Sequence, residues 1–196
     1  MKRIAVITAG KTHSGKTTFA RKLEQKLDHS IVIDQDNHAA FINTYYRKLL
    51  PLDGPNTIKY AITQTIADYA VKETDLHLII CSSNLSRKGR LALLRYYQNQ
   101  GFTTVLASFQ ISEDILSARV RNSSRSTNIF RSAASFQEVL ARQSAESLQM
   151  DKGAPSKDEA DYFFEIKSSG EVQDVISKIT KINYDQKQHA EKEKWL

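Results

Sequence analysis

The chain has little cysteine, no long apolar run and no repeat. Cys81 is its only cysteine, so it forms no internal disulfide, and one cysteine with five scattered histidines makes no structural zinc site. Cys81 lies inside an apolar run and reads as a small buried side chain in a reducing cytoplasm. No apolar stretch approaches the roughly 20 residues of a membrane span, so no membrane partner is expected. The first residues lead straight into an apolar strand, and no signal or transit peptide is expected. With neither an internal repeat nor a linker, the 196 residues suit one α/β domain with a full core.

What is present is an ordinary soluble balance of 40% hydrophobic and 26% charged residues. The net charge of +6 favours anionic partners, nucleotides and nucleic acid among them. Phosphate-binding enzymes are often locally basic too, and charge alone does not choose between these classes.

Strand-like and helix-like segments alternate along the chain. Ile4 to Ile7, Ser30 to Asp34, Leu76 to Ser82, Thr103 to Phe109 and Tyr162 to Ile166 read as strands. Helices are expected over Thr18 to Leu27, Asn37 to Leu50, from an Asn56 cap to about Lys72, from Ser86 to Gly101 and from Ser112 toward Arg121. Ser135 with Glu138 forms a capping box for a helix through about Met150, and Val172 to Ile182 reads as the last helix. Residues 1–182 are therefore read as the domain. Residues 183–196 are read as a polar tail that frays unless Trp195 anchors it. Arg121 to Ala134 has few large apolar residues and many Ser and Arg, and reads as a mobile loop. Alternating strands and helices imply a mostly parallel sheet whose ligands sit at the carboxyl ends of its strands.

The segment Gly10-Lys11-Thr12-His13-Ser14-Gly15-Lys16-Thr17 fits G-x-x-x-x-G-K-[ST], the phosphate-binding P-loop, between a strand and a helix as the motif requires. Gly10 and Gly15 let the backbone curl so that N–H groups point at phosphate oxygens, and the helix N-terminus adds a positive partial charge. Lys16 reaches the outer phosphates, and the Thr17 hydroxyl is a magnesium ligand. The segment from Gly10 through Thr18 is thus the candidate site for a nucleoside triphosphate with magnesium. ATP is favoured over GTP, because no Asn-Lys-x-Asp guanine-reading segment occurs.

Asp34-Gln35-Asp36 follows the second strand. One of these acids is a candidate second metal ligand, for which Asp34 is taken, and the other is a candidate acceptor of a proton from an attacking hydroxyl. The alternative is that these acids cap the next helix. Ser82-Ser83-Asn84 ends the third strand, where most P-loop proteins carry an acid. Asn84 either orients a ligand or shapes the turn before Ser86. Arg119, Arg121, Arg125 and Arg131 lie in and before the polar loop. A closing lid would bring such arginines, Arg121 and Arg125 among them, to the phosphates, where they would neutralise charge on a transferring group. A solvated basic face is the alternative.

With Gly10 to Thr17, Ile33 to Asp36, Leu78 to Arg90 around Asn84-Leu85-Ser86, and Arg121 to Arg125, the chain resembles P-loop kinases of the polynucleotide-kinase and zeta-toxin-like group over about residues 3 to 145. The resemblance implies a three-layer P-loop NTPase fold: a five-stranded, mostly parallel sheet flanked by helices, with a mobile lid over about 121–134. It also implies an ATP-dependent kinase in which Lys16 holds phosphate, Asp36 is the general base and Arg125 is a lid arginine near the nucleotide. Two departures stand out. Ser82-Ser83-Asn84 replaces the usual Asp-Thr-Asn, and no basic residue follows closely on Asp36, where Asn37-His38-Ala39-Ala40 stand. A small hydroxyl compound is therefore the first expected acceptor and a nucleic-acid end the second. A hydrolase that acts through a partner is the rival reading, although no Gln or Glu is placed after the third strand to orient water. Tyr45, Tyr46, Arg47 and Tyr60 are candidates to line the pocket of either acceptor; the alternative is that they simply pack the domain.

Overall fold

The alternation of side chains along the strands sets the layers. The computed structural model describes residues 2–147 and 153–193. Its strands are β1 (Ile4–Gly10), β2 (Ser30–Asp34), β3 (His77–Cys81), β4 (Thr103–Phe109) and β5 (Tyr162–Ile166). Its helices are α1 (Lys16–Glu24), α2 (Gln35–Tyr45), α3 (Thr57–Glu73), α4 (Arg87–Asn99), α5 (Glu113–Arg121), α6 (Phe136–Ser147) and α7 (Val172–Glu193). The strands form one parallel sheet in the order β2-β3-β1-β4-β5. Ile4 and Val6 of β1 point to the face covered by Phe19 and Leu23 of α1 and Ile176 and Ile179 of α7. Ala5, Ile7 and Ala9 point to the face covered by Ala67 and Val71 of α3 and Leu94 and Tyr97 of α4. Both faces of the sheet are buried, as a parallel sheet requires. The expected three-layer α/β fold is present. Among the described residues no helix is long and apolar enough to cross a membrane.

Two expected boundaries shift. The helix after β2 stops at Tyr45, and Arg47–Leu49 makes a single 3-10 turn instead of carrying the helix to Leu50. Leu50 is extended (ψ 135°), because the ring of Pro51 disfavours a helical residue before it. At the other end, α7 runs on to Glu193 and does not stop at Ile182. Asn183 is buried, and Gln186 Nε2 donates to the Thr103 hydroxyl (2.8 Å), which pins the extra turns beside β4. The expected course of the preceding helix to Met150 and the expected anchor Trp195 lie outside the described residues.

One buried polar contact spans the fold. Arg90 on α4 packs on the apolar side of the helix with Leu94 and Tyr97, and its side chain is 0% exposed. Its Nε and Nη2 donate to both carboxylate oxygens of Glu159 (2.5 and 2.8 Å), a side chain that is itself 1% exposed. Its remaining N–H groups go to the carbonyls of Asn84, Leu85 and Gly153 (3.0, 3.2 and 3.0 Å). This pairing fixes the turn after β3 to the segment before β5. Removing one partner leaves a buried charge without its counterion, so Glu159→Ala is expected to lose about 3–5 kcal/mol of stability in urea unfolding. A loss below about 1 kcal/mol, the range of exposed pairs, would mean that water replaces the carboxylate.

Candidate functional site

The loops that leave the carboxyl ends of β1, β2 and β3, together with the α5–α6 connection, enclose a cleft of about 1270 Å³. Its floor is the P-loop. Gly10 ends β1 tight against β4: a Cβ there would lie 2.8 Å from Phe109 Cβ and 3.0 Å from the Ser14 hydroxyl, so any side chain blocks the turn. The Gly10 N–H donates to the Ser83 carbonyl (2.8 Å). Gly15 enters α1 at φ 99°, a conformation that costs glycine nothing. Lys16 bends back over the loop and donates to the Lys11 carbonyl (2.6 Å) and the Ser14 hydroxyl (3.2 Å). Burial pushes its ammonium down to about 8. Thr17 and Thr18 are exposed.

The residues between the two glycines are tied to the helices on one side of the loop. The Lys11 ammonium pairs with Glu113 of α5 and donates to the Ser144 hydroxyl of α6 (3.1 Å). That contact from Lys11 holds the Glu113 carboxyl below its ordinary range. The Thr12 N–H donates to Gln143 Oε1 (2.7 Å). His13 stands edge-on to the Phe136 ring (4.6 Å), and its Nε2 meets the Ser123 hydroxyl (2.8 Å). Burial first, and then Arg125, Lys16 and Arg119, hold the imidazole below its ordinary pKa, so it is neutral at pH 7.

Asp34 is 3% exposed and uses both oxygens. Oδ1 accepts from the Asp36 N–H (2.9 Å) and closes the N-terminus of α2, while Oδ2 accepts from the Thr17 hydroxyl (3.3 Å). One carboxylate therefore serves both roles that the sequence left open: helix cap and neighbour of Thr17. A hydroxyl beside a carboxylate at the mouth of a P-loop is a hard-oxygen pair that fits magnesium. Among the described residues no group of three His, Cys, Asp or Glu side chains could hold a metal alone, so a cation here would take its other ligands from phosphate and water. Cys81 Sγ lies 3.7 Å from the same hydroxyl, and burial pushes its thiol up to about 12, so it stays neutral.

Asp36 faces the cleft from the first turn of α2. Its Oδ2 accepts from Arg125 Nη2 (2.8 Å), and the Arg125 guanidinium sits 5.4 Å from the centre of the Phe136 ring. Arg119 also reaches the site and donates to the His13 carbonyl (3.1 Å). Arg121 does not: it is exposed and lies outside the cleft lining. Two positions along a helix turn a side chain by roughly 200°, so α5 presents Arg119 or Arg121 to the site, not both.

The polar loop carries apolar anchors after all. Ile129 and Phe130 pack on a cluster of Ile111, Leu116, Val120, Phe136 and Leu140. Asn43 Nδ2 donates to the carbonyls of Asn128 and Phe130 (2.5 and 3.0 Å). Arg131 donates to the carbonyls of Pro51 (2.8 Å), Leu52 (3.3 Å) and Gly54. Asn84 is a turn residue: it takes φ 43°, and its Nδ2 donates to the Thr8 carbonyl (2.8 Å). The Ser82 hydroxyl turns to Gln35 Oε1 (3.2 Å). Of the four candidate acceptor-pocket residues, only Tyr60 lines the cleft. Tyr45 and Tyr46 point to solvent, and Arg47 borders a separate hollow beside Asn43 and Leu50. Gln143, Phe136 and Lys59 line the cleft without having been expected, and no local signal marks them.

A family model described as an AAA domain matches residues 6–146, from β1 through the P-loop and the Asp34–Asp36 edge to α6. The chain belongs to this family. A search of the curated proteins found no match. Solved structures share the fold of this chain. One from Chloroflexus aurantiacus, carrying a provisional kinase assignment, is 14% identical with a TM-score of 0.63, over 92% of this chain and 98% of that one. Shikimate kinase from Bacteroides thetaiotaomicron is 12% identical with a TM-score of 0.56, over 92% and 98%. The Mycobacterium tuberculosis APS kinase CysC, solved with AMPPNP and APS, is 16% identical with a TM-score of 0.55, over 90% and 96%. At these identities the likeness establishes a shared P-loop fold.

The buried ammonium of the AAA-domain P-loop has a measurable signature. Lys16 releases its proton near pH 8 in the folded chain, while an unfolded lysine keeps it to higher pH. The unfolded state then binds more protons, so stability rises with pH above about 8 until the unfolded lysine titrates. Lys16→Met is expected to lack that rise in urea unfolding followed from pH 7 to 10. Parallel curves for the two proteins would place the ammonium in water.

Proposed function

We propose that the cleft transfers the γ-phosphoryl group of ATP to a hydroxyl, with a small molecule as the first acceptor class and a nucleic-acid end as the second. The observation that carries this reading is the convergence on one cleft of the Lys16–Thr17 pair, the Asp34 carboxylate on Thr17 and the Arg125–Asp36 pair. Within P-loop kinases the reading sits with the polynucleotide-kinase and zeta-toxin-like group. The fold shared with shikimate kinase and APS kinase is consistent with it.

In this reading the backbone from Gly10 to Thr18 and the Lys16 ammonium hold the β- and γ-phosphates. Thr17 and Asp34 would hold magnesium, which when bound neutralises phosphate charge. Asp36 takes the proton of the acceptor hydroxyl as the new O–P bond forms and the bond to the β–γ bridging oxygen breaks, releasing ADP. Arg119 and Arg125 offset the charge on the phosphoryl oxygens. In this reading Arg125 turns from Asp36 to a phosphate, which frees the base as it delivers the cation.

A second reading, an ATPase that acts through a partner, draws support from Ser82 and Ser83 at the end of β3, where most P-loop proteins carry an acid. Labelled ATP separates the two. Incubation with a panel of sugars, nucleosides, hydroxy acids and 5′-hydroxyl oligonucleotides is expected to place label on a small acceptor. Label released only as free phosphate, unaffected by any acceptor, would favour the ATPase.

Two variants test the residue roles. Lys16→Ala is expected to weaken ATP binding by tenfold or more in calorimetry, the scale of a charge-assisted phosphate contact. Asp36→Asn is expected to keep ATP affinity within about threefold while slowing transfer by about a hundredfold or more, because an amide accepts no proton. Transfer at the parent rate would leave Asp36 as a partner of Arg125 and nothing more.

A further inference from the structure

We infer that the acceptor carries a compact anionic group, a phosphate or a carboxylate, beside the hydroxyl that it presents, and that Lys59 with Tyr60 receives that group. The inference rests on the kinase reading and adds the chemical class of its substrate.

Two groups of elements line the cleft. The P-loop, α5 and the loop after it bring Lys16, Arg119 and Arg125, the cations that a triphosphate needs. The segment Gly54-Pro55-Asn56, followed by Lys59 and Tyr60 in the first turns of α3, forms another wall, which the kinase reading assigns to the acceptor. Asn56 caps that helix by accepting from the Lys59 N–H (3.2 Å), which fixes where the Lys59 side chain starts. No acid stands in the first turn of α3.

Nothing among the described residues neutralises Lys59. Asp34 is occupied by Thr17 and by the N-terminus of α2, and Asp36 is held by Arg125. Lys59 is half-buried, makes no ion pair among the described residues and has its ammonium 4.7 Å from the centre of the Tyr60 ring. That ring face orients the ammonium but does not cancel its charge. Arg131, the other cation on this wall, has its guanidinium committed to the carbonyls of Pro51, Leu52 and Gly54. The acceptor wall thus offers one ammonium whose donors are not taken up by the described residues, and the phenol of Tyr60. An ammonium suits a single compact anion, whereas a planar bidentate site calls for arginine. A polynucleotide would need several available cations along its path, and among the described residues this wall has one whose donors are free.

Two experiments test the inference. In the first, inorganic phosphate is titrated into the protein saturated with a non-hydrolysable ATP analogue and magnesium, followed by calorimetry or amide shifts near Lys59. A saturable phosphate site is expected, at least tenfold weaker in Lys59→Ala and largely kept in Lys59→Arg, with analogue binding in each variant reporting that the fold is intact. Absence of a saturable site, or equal binding in Lys59→Ala, overturns the inference. In the second, labelled ATP is offered with matched pairs: sugar phosphates against their free sugars, and hydroxy acids against their alcohols. The anionic member of one pair is expected to be the better acceptor, and which pair responds tells phosphate from carboxylate. With that acceptor, Lys59→Ala is expected to raise KM tenfold or more with kcat within about threefold. Preference for the neutral members, or for oligonucleotides alone, overturns the inference. If no acceptor takes label, the kinase reading fails, and the phosphate titration still decides the Lys59 site.

Discussion

The close approach of β1 and β4 at Gly10 is the constraint from which the rest of the site follows. With Phe109 Cβ 2.8 Å from where a side chain would begin, the chain leaves the sheet at a position that has room for glycine alone. The Gly10 N–H is then held by the Ser83 carbonyl, so the P-loop starts from a joint between β1 and the turn after β3. Everything polar in the cleft is measured from that joint. Lys16 curls over it, and Thr17 meets Asp34 from β2. The parallel sheet places three carboxyl ends side by side and the glycine makes their meeting point tight.

A tight joint needs rigid support, and Arg90 provides it. Its five donors are all used, two kinds of partner are served at once, and the turn at Asn84 is held from below while the Asn84 amide holds Thr8 from above. The contrast with Asp36 and Arg125 is instructive. That pair is a single hydrogen bond of 2.8 Å, and its side chains are 45% and 37% exposed, so solvent can replace either partner at little cost. Burial makes one ion pair structural and leaves the other free to exchange.

Much of this architecture was legible in the sequence because its signals are local. Apolar runs gave the strands, and the P-loop gave the hinge between strand and helix. The caps at Asn56 and Ser86 have the hydrogen bonds that their spacing implies. What was hidden is pairing across long separations. Arg90 and Glu159 lie 69 positions apart, and an arginine spaced as an apolar residue on α4 was the only sign of a buried partner. The polar loop was read by its composition, yet two side chains, Ile129 and Phe130, tie it to a cluster built from α5, α6 and Ile111 in the segment after β4. Arg121 was grouped with Arg119 by adjacency in sequence, whereas helical geometry separates them. The extended α7 was missed because its stabilising contacts, Asn183 and Gln186, are polar and look like solvent-facing residues.

The grip of Arg131 on the main chain of Pro51, Leu52 and Gly54 has a thermodynamic consequence. The 121–134 loop and the segment before α3 share one set of hydrogen bonds. Two of these bonds are exposed and one is half-buried, so water can take over the carbonyls when either segment moves. The restraint is therefore a soft one: it narrows the conformational freedom of two distant stretches of chain at once, and a small free energy undoes it for both.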